Sequence, residues 1–303
     1  AEFTDLCRGG HSENPAAEIT PDSFKLDKIA GAYWRGDEQN PMLTRIYGLA
    51  FDSKDELDAY LTQLEEAKKR DHRKLGKELG LFSFSELVGA GLPLWSAKGT
   101  ILRQEIDRFV QELRKAKGYE LVTIPHLAKK SLYETSGHWN KYSEDLFKVS
   151  AKVDADEHDE YVLKPMNCPH HTQIYARKKW SYRELPQRYA NTTMVYRDEQ
   201  SGELQGLSRV RSITQDDAHV FCRESQAKEE AFKIWDMIHE FYGEFGFTLK
   251  LRLSTHDPEN MHAYKGELSD WESSVAEFEG WLKEKGADYF IAPGEAAFYG
   301  PKI

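Results

Sequence analysis

The sequence predicts an α+β protein, in which an antiparallel sheet is flanked by helices. Two stretches, 188–197 and 207–221, are rich in strand-forming residues and are joined by the polar loop 198–203, a pattern typical of a long hairpin. Apolar residues recur at helical spacing on either side of this pair, at 101–113 and at 231–242. Strands adjacent in sequence, with helices set apart from them, are typical of this class.

Size and composition indicate a folded, water-soluble chain. Its 303 residues are 40% hydrophobic and 12% aromatic, which excludes a disordered polymer. No stretch approaches the roughly 18 apolar residues that span a bilayer, so we expect no membrane partner and a cytoplasmic location, with an organelle matrix as the alternative. Three widely spaced cysteines form no disulfide framework. The net charge of −10 argues against nucleic-acid binding by overall charge, and leaves the basic clusters at 68–77 and 177–179 as polyanion contacts or solvated helix faces.

The first half of the chain predicts two helices. Residues 1–40 are turn-rich, with no long helical period. Ser53 and Glu56 form a capping box, which begins a charged helix that runs to about Leu79. The helix around 101–113 ends at Gly118 and is followed by a strand, 119–124, that Pro125 stops.

After the hairpin, two helices alternate with two strands. The helix around 231–242 closes at Gly246, and 247–253 alternates as a half-buried strand. A further helix covers 271–282 and precedes a short strand at 288–291.

Three polar residues share one face of the second hairpin strand. The strand period of two places Gln215, Asp217 and His219 on that face. An amide, a carboxylate and an imidazole in a row indicate a wet cavity around one ligand. A solvated sheet face remains the alternative, because antiparallel sheets often expose one side to water.

Arginines and one cysteine supply further candidates. Arg197, Arg209 and Arg211 surround the hairpin loop and suit a polyphosphate, because guanidinium groups match phosphate oxygens; surface arginines on an edge hairpin are the alternative.

Cys168 lies just before His170 and His171, and with a strand histidine it is a candidate zinc ligand. A buried, inert thiol is the alternative.

Six segments carry a family resemblance: GLPLWSAKGTILRQEI, GYELVTIPHL, SGHWNKYSEDLF, KPMNCP, YRDEQSGELQGLSRVRSITQDDAHVFC and GEAAFYGPKI. They are similar to the threonyl-tRNA synthetases, a family of class II aminoacyl-tRNA synthetases. The resemblance implies an editing-domain remnant at 1–50, a linker helix at 51–80 and a class II catalytic domain at 81–303, cut before motif 3. It also implies a ligase that activates L-threonine with ATP to threonyl-adenylate, transfers it to tRNA(Thr), and edits serine in the intact protein.

The resemblance assigns roles to individual residues. Arg197 would stabilise the ATP α-phosphate during the reaction, Glu199 would contact adenine, and Arg209 would reach the distal phosphates of ATP bound with Mg²⁺. Gln215, Asp217 and Tyr299 would form the threonine pocket. His138 would take a proton from the terminal ribose of tRNA, with a loop-capping histidine as the alternative.

The resemblance also implies a metal, a dimer and an incomplete chain. Cys168 and His219 match two of three protein ligands of a zinc ion, and the third lies beyond Ile303 in the family. The helix and strand that end at Pro125 match motif 1, which forms the dimer interface. Cys7 and His11 match half of the editing site, whose other half would precede Ala1, so we expect the 303-residue chain alone to be inactive. His170 stands where the family usually has Gly.

Two other interpretations remain open at this point. The first is a class II synthetase for another amino acid, such as serine or proline, and zinc analysis would separate it from the threonine enzyme. The second is a tRNA-binding or regulatory relative without catalysis. The presence of Arg197, Glu199 and Arg209 argues against that alternative.

Overall fold

The predicted long hairpin forms the centre of the larger part of the fold. In the computed structural model, which describes residue 10 and residues 12–152 and 158–303, the chain divides into two units. The first unit comprises residues 1–83 and the second comprises residues 84–303.

The first unit contains a β-hairpin followed by two helices. Its elements are α1 (Pro15–Glu18), β1 (Phe24–Tyr33), β2 (Met42–Ala50), α2 (Lys54–Lys69), α3 (His72–Leu79) and β3 (Phe82–Ser83). β1 and β2 pair antiparallel, with a register shift between Leu26 and Lys28. The sequence pattern did not predict this hairpin.

The charged helix predicted to run to about Leu79 is two helices in the structure. Ser53 caps α2, and its hydroxyl accepts a hydrogen bond from the Glu56 backbone N–H at 3.3 Å. Asp71 then interrupts the helix, because its side chain accepts from the Arg73 backbone N–H at 2.8 Å and so caps α3.

The second unit carries the remaining elements. They are β4 (Leu94–Trp95), α4 (Ala97–Ala116), β5 (Glu120–Leu121), β6 (Leu127–Lys129), α5 (Lys130–Ser136), α6 (His138–Tyr142), β7 (Lys148–Lys152), β8 (His158–Leu163), α7 (Cys168–Ala176), β9 (Gln187–Tyr196), β10 (Ser212–Phe221), α8 (Glu224–Glu244), β11 (Leu251–Thr255), α9 (Leu268–Glu284) and β12 (Tyr289–Pro293).

β9 and β10 pair antiparallel, as predicted, in a sheet of order β10-β9-β5. The register places Asp217 opposite Asn191 and His219 opposite Tyr189. β5 is only two residues long and pairs parallel to β9. β11 and β12 also pair parallel, because α9 returns the chain to the same end of the sheet. The predicted antiparallel arrangement therefore holds for the central hairpin and for the separate sheet β6-β8-β7, while two pairings are parallel.

Helix termini and one buried ion pair fix the helices around the hairpin. The Ser96 hydroxyl caps α4 by accepting from the Gly99 backbone N–H at 3.1 Å, and α4 ends just before Gly118, as predicted. Arg188 on β9 donates through Nε and Nη2 to both carboxylate oxygens of Glu230 on α8, at 2.5 and 2.7 Å. This contact ties α8 to the sheet.

Within the described part of the chain, no helix is both long enough and apolar enough to cross a bilayer.

Candidate active site

Asp217 on β10 and the segment that begins α7 are in direct contact, although they lie far apart in the sequence. The Asn167 side-chain amide donates a hydrogen bond to Asp217 Oδ2 at 2.9 Å, and Asn167 is fully buried. Cys168 follows directly, and its half-buried thiol has a pKa raised to about 11, by burial first and by the charge of Asp217 second. The structure therefore brings two predicted site residues, Asp217 and Cys168, together.

His219 contacts the same helix through a second histidine. Its Nδ1 lies 2.8 Å from Nδ1 of His171 on α7, and the ring planes cross at 87°. Burial lowers the pKa of both imidazoles, that of His171 to about 4. Both rings are therefore neutral at physiological pH.

Lys164 is a buried cation beside this contact. It is fully buried, and its ammonium group donates to Thr193 Oγ1 at 2.9 Å. Desolvation lowers its pKa to about 8, and the charge of Asp217 partly opposes this shift. Sequence reasoning missed Lys164, Asn167 and His171 as site residues. The available signal was a run of polar residues around Cys168 next to prolines, which is unusual for a segment that becomes buried.

Gln215 and Tyr299 complete the predicted pocket residues. Gln215 is half-buried on β10 opposite Thr193, and its side chain makes no hydrogen bond within the ranges that the structure describes. Tyr299 is exposed as a residue, but desolvation of its phenol raises its pKa, with further contributions from Cys168, Tyr142 and Asp217. Tyr299 therefore lies within electrostatic range of the pocket.

The donor set of this pocket suits zinc in type and falls short in number. A thiol and an imidazole, from Cys168 and His219, are the donors that zinc prefers. Among residue 10 and residues 12–152 and 158–303, no group of three or more histidine, cysteine, aspartate or glutamate side chains could hold a metal ion. Cys168 and His219 therefore do not by themselves make a metal site among the described residues.

The residues with predicted ATP contacts surround the connection between β9 and β10. The Arg197 backbone N–H donates to the Arg211 carbonyl at 3.0 Å, while its guanidinium has no hydrogen bond or ion pair with the described residues. Arg209 donates through Nε to Glu199 Oε2 at 2.7 Å and through Nη2 to Glu203 at 3.0 Å. Arg211 instead supports the loop, since its Nε donates to the Glu199 carbonyl at 3.0 Å.

Gly91 fixes where this connection re-enters the sheet. Its carbonyl accepts from the backbone N–H groups of Arg211 and Ser212, at 2.8 and 3.3 Å. A Cβ atom at Gly91 would lie only 2.9 Å from the Arg211 backbone nitrogen, and the φ of Gly91 is +73°. Only glycine fits this approach.

His138 begins α6 as a buried histidine. Its Nδ1 lies 2.8 Å from the Ser136 hydroxyl, and Phe298 packs edge-on against the ring. Its Nε2 is buried without a hydrogen-bond partner in the described ranges. Desolvation, followed by the charge of Lys265, lowers its pKa, so the imidazole is neutral at physiological pH.

Two predicted residues cannot be placed. Cys7 and His11, which match half of an editing site, lie outside the described residues.

A cavity lies between β10, α4 and α8, and His219 is among the residues that line it. It encloses about 830 Å³, and its walls are largely apolar. Asp216, which points to this side, accepts from Arg114 Nη2 on α4 at 2.7 Å. The neighbouring residues Asp216 and Asp217 therefore lie on opposite faces of β10.

Comparisons with known proteins cover the whole chain. The family of the tRNA synthetase class II core domain (G, H, P, S and T) matches residues 147–303. The threonine–tRNA ligase of Deinococcus radiodurans is 51% identical over 303 residues, which is 100% of this chain and 46% of that protein. A threonine–tRNA ligase of Thermus thermophilus is 48% identical over 302 residues, 99% of this chain and 45% of its own length.

Solved structures agree in fold. The RNA binding domain of threonyl-tRNA synthetase from Cryptosporidium parvum Iowa II matches with a TM-score of 0.69 and 39% identity, covering 77% of this chain and 56% of that chain. A prolyl-tRNA synthetase from Giardia lamblia, with 18% identity and a TM-score of 0.53, shares the fold alone. The chain spans about half the length of the curated relatives that it matches.

Proposed function

The chain belongs to the threonine–tRNA ligase family of class II aminoacyl-tRNA synthetases, and from this premise we propose that its protein activates L-threonine with ATP and loads it onto tRNA(Thr). The observation that supports the threonine substrate best is the contact between β10 and α7, where Asn167 binds Asp217, Cys168 lies in electrostatic range of Asp217, and His171 contacts His219. Identity of about half over the entire chain supports the reaction class.

The loop between β9 and β10 is proposed to bind MgATP. The guanidinium of Arg197, which pairs with none of the described residues, suits the α-phosphate, where it would stabilise negative charge as the threonine carboxylate attacks. Glu199 and Arg209 hold each other in place beside it, as partners for adenine and for the distal phosphates. Mg²⁺ would arrive with the ATP phosphates.

The pocket beneath β10 is proposed to select threonine. Cys168 and His219 would hold zinc, together with a ligand from outside this chain. When bound, zinc supplies open coordination positions that the amino and hydroxyl groups of threonine can fill and valine cannot. Asp217, held by Asn167, would accept the hydrogen bond of the substrate hydroxyl, with Gln215 and Tyr299 lining the pocket.

Transfer to tRNA is proposed to use His138. Its lowered pKa keeps the imidazole neutral, so one ring nitrogen is unprotonated and could accept a proton from the terminal ribose. The helix α4 and strand β5 are proposed to form the interface of a homodimer, as the resemblance to motif 1 implies.

Editing of serine is proposed for the intact protein only, with Cys7 and His11 as part of its site. Serine also carries a hydroxyl, so the threonine pocket cannot reject it strongly. A cytoplasmic location rests on the family alone.

The competing proposal is a class II synthetase for serine or proline. Both share the fold, as the Giardia lamblia structure illustrates for proline. Cys168, Asp217 and His219 at the contact between β10 and α7 favour threonine, because a thiol and an imidazole beside a carboxylate suit a metal and a hydroxylated substrate.

Pyrophosphate exchange by the intact protein tests the proposal. We expect exchange with threonine, weaker exchange with serine and none with valine. Asp217→Asn should raise KM for threonine and leave KM for ATP nearly unchanged, whereas the matched control Asp216→Asn, on the other face of β10, should change neither. Equal damage to both KM values by Asp217→Asn would contradict the pocket. Full zinc content in Cys168→Ala would contradict the zinc assignment.

A further inference from the structure

Five exposed basic side chains share one surface, where α7 leads into β9 and where α8 begins. We refer to them as the basic patch, and they are Arg177, Lys178, Lys179, Arg183 and Arg223. The segments 177–184 and 223–224, which carry them, contain two carboxylates, Glu184 and Glu224, so cations exceed carboxylates by three. The whole chain, in contrast, has a net charge of −10.

Trp180 holds the first part of the patch in a fixed position. Its indole Nε1–H donates to the Tyr175 carbonyl at 2.7 Å, and its ring stacks on that of Tyr175. The Tyr175 ring in turn stacks on Phe221 of β10, with 4.3 Å between the centroids. Lys178 Nζ and Arg177 Cζ lie 4.0 and 4.8 Å from the centre of the Trp180 ring. The aromatic stack therefore orders two cations against the central sheet.

Tyr182 orders the second part of the patch. Its ring is 60% exposed, and the Cζ atoms of Arg183 and Arg223 lie 5.6 and 5.8 Å from the ring centre. Arg183 Nε also donates to the phenol oxygen at 3.1 Å. Gln226 of α8 donates to the Leu185 carbonyl at 3.0 Å, which fixes the segment of Arg223 beside the segment of Tyr182. Because these side chains are held in place, a ligand has little ordering to impose on them.

Most of the positive charge of the patch is left unpaired. Lys178 pairs with Glu184 at 2.7 Å, and this contact also joins the two parts of the patch. Lys179, Arg183 and Arg223 are exposed and form no ion pair with any residue that the structure describes. Three cations of the patch are therefore available to a negatively charged partner.

The other basic cluster of the sequence, 68–77, differs in this respect. Three of its cations are paired with nearby carboxylates at 2.5–2.7 Å, namely Lys68 with Glu65, Lys69 with Glu66 and Arg73 with Asp71. Pairs of this kind neutralise the surface and contribute little else when they are exposed. Of the two clusters, the one that includes 177–179 is therefore suited to a polyanion.

The patch lies near the contact between β10 and α7 and far from the proposed ATP residues. α7 begins at Cys168 and ends directly before the patch, and its nine residues span about 13 Å at 1.5 Å per residue. β9 begins just after the patch and ends just before Arg197, and its ten residues span about 30 Å. A polyanion on the patch therefore lies close to the proposed threonine site and leaves the ATP residues free.

We propose that the basic patch binds the phosphate backbone of the tRNA that the protein loads. Lysine and arginine side chains bind nucleic-acid phosphates, and each contact releases counterions into solution. A net charge of −10 repels a polyanion from most of the surface, so a local surplus of positive charge decides where RNA is held. This inference rests on the proposed function, in which tRNA(Thr) is a substrate.

The first experiment measures the affinity of the intact protein for a tRNA(Thr) transcript at several salt concentrations. The combined variant Lys179→Gln, Arg183→Gln and Arg223→Gln should raise Kd at least about tenfold, because three unpaired cations are lost. The slope of log Kd against log salt should become shallower by about one for each lost phosphate contact. Pyrophosphate exchange with threonine and ATP needs no tRNA and should stay within about twofold of the original rate, because the patch is remote from the ATP residues.

The matched control removes the same charge from the paired cluster. Lys68→Gln, Lys69→Gln and Arg73→Gln together should leave both Kd and the salt slope nearly unchanged. Equal losses in the two combined variants would show an effect of net charge alone and overturn the inference. An unchanged Kd in the patch variant, which is the result if the patch binds an acidic protein instead of RNA, also overturns it.

The second experiment uses the unsubstituted protein, so it does not depend on the folding of any variant. Lysines are acetylated with and without tRNA(Thr), and mass spectrometry gives the extent at each site. We expect tRNA to protect Lys179 and to leave Lys69 reactive, and equal acetylation of Lys179 in both samples overturns the inference. Protection of Lys179 in a protein that fails to exchange pyrophosphate with threonine would refute the proposed function and leave this inference standing.

Discussion

Arg209 and Glu199 form an ion pair across the turn of the central hairpin, with Nε and Nη2 of Arg209 both directed at Oε2 of Glu199. The proposed roles place one of them on the ATP phosphates and the other on adenine. If both side chains bind ATP as proposed, the pair holds them in one arrangement before the nucleotide arrives, and this lowers the cost of ordering them on binding.

Arg209→Ala should therefore weaken ATP binding. We expect KM for ATP to rise about 10- to 100-fold, because a charge-assisted hydrogen bond contributes about 1.5–3 kcal/mol, while KM for threonine stays within twofold. Pyrophosphate exchange at varied ATP and threonine measures both. Arg183→Ala, which removes an exposed arginine stacked on Tyr182, is the control and should alter neither value. A rise in KM for threonine alone would mean that Arg209 acts at the threonine site and not on ATP.

Arg197→Ala should lower the rate of adenylate formation. The expected loss is about 3 kcal/mol, or roughly two decades in rate, because the guanidinium would stabilise charge that develops at the α-phosphate. Single-turnover adenylate formation gives the rate, and metal analysis should show unchanged zinc. A near-normal rate in this variant would remove Arg197 from the mechanism.

Glu230→Ala should destabilise the second unit strongly. The side chain of Glu230 is 5% exposed and pairs with Arg188, so its removal leaves a guanidinium without its partner in a largely buried position. We expect a loss of about 3–5 kcal/mol in the free energy of unfolding, measured by urea denaturation. The neighbouring Glu229→Ala removes a 72% exposed carboxylate and should cost less than about 0.5 kcal/mol. Similar losses in both variants would show that the Arg188 contact contributes little.

Lys164 should make stability depend on alkaline pH. Its pKa is about 8 in the folded protein against 10.5 ordinarily, so between these values the unfolded chain binds more protons than the folded one. The free energy of unfolding of the unsubstituted protein should therefore rise from pH 8 to 10.5, relative to Lys164→Met, by up to about 2 kcal/mol after allowance for solvent screening. Below pH 8 the difference between the two proteins should be constant. A difference that stays constant up to pH 10.5 would mean that Lys164 keeps its ordinary pKa.

The sequence predicted those helices and strands whose pattern is complete within one short segment. α4 has apolar spacing, the Ser96 cap and a closing glycine, and β9 and β10 have strand composition around a polar loop. β1 and β2 were missed because the register shift after Leu26 breaks the alternation, and because Leu26 and Ile29 are exposed rather than inward-facing. The break at Asp71 was missed because the charged helical pattern continues through it.

The site was predictable on β10 and less so around it. The alternation of Gln215, Asp217 and His219 is visible in one short segment, whereas their supporting residues come from the segment around α7. Nothing local indicates that Asn167 donates to Asp217 or that His171 meets His219, because both contacts depend on how α7 packs on the sheet. Family resemblance, rather than periodicity, supplied the roles of Arg197, Glu199 and Tyr299.

The two hydrogen bonds that Gly91 accepts from Arg211 and Ser212 have a consequence for the order of folding. They join the segment before α4 to the start of β10, across most of the central elements of the second unit, and contacts of such long sequence separation form only after a costly loop closure. β9 and β10 can pair starting from the turn that joins them. The first residues of β10, however, are fixed only when the segment around Gly91 has packed against them. We therefore expect the loop end of this hairpin to acquire its final shape late, after the helices are in place.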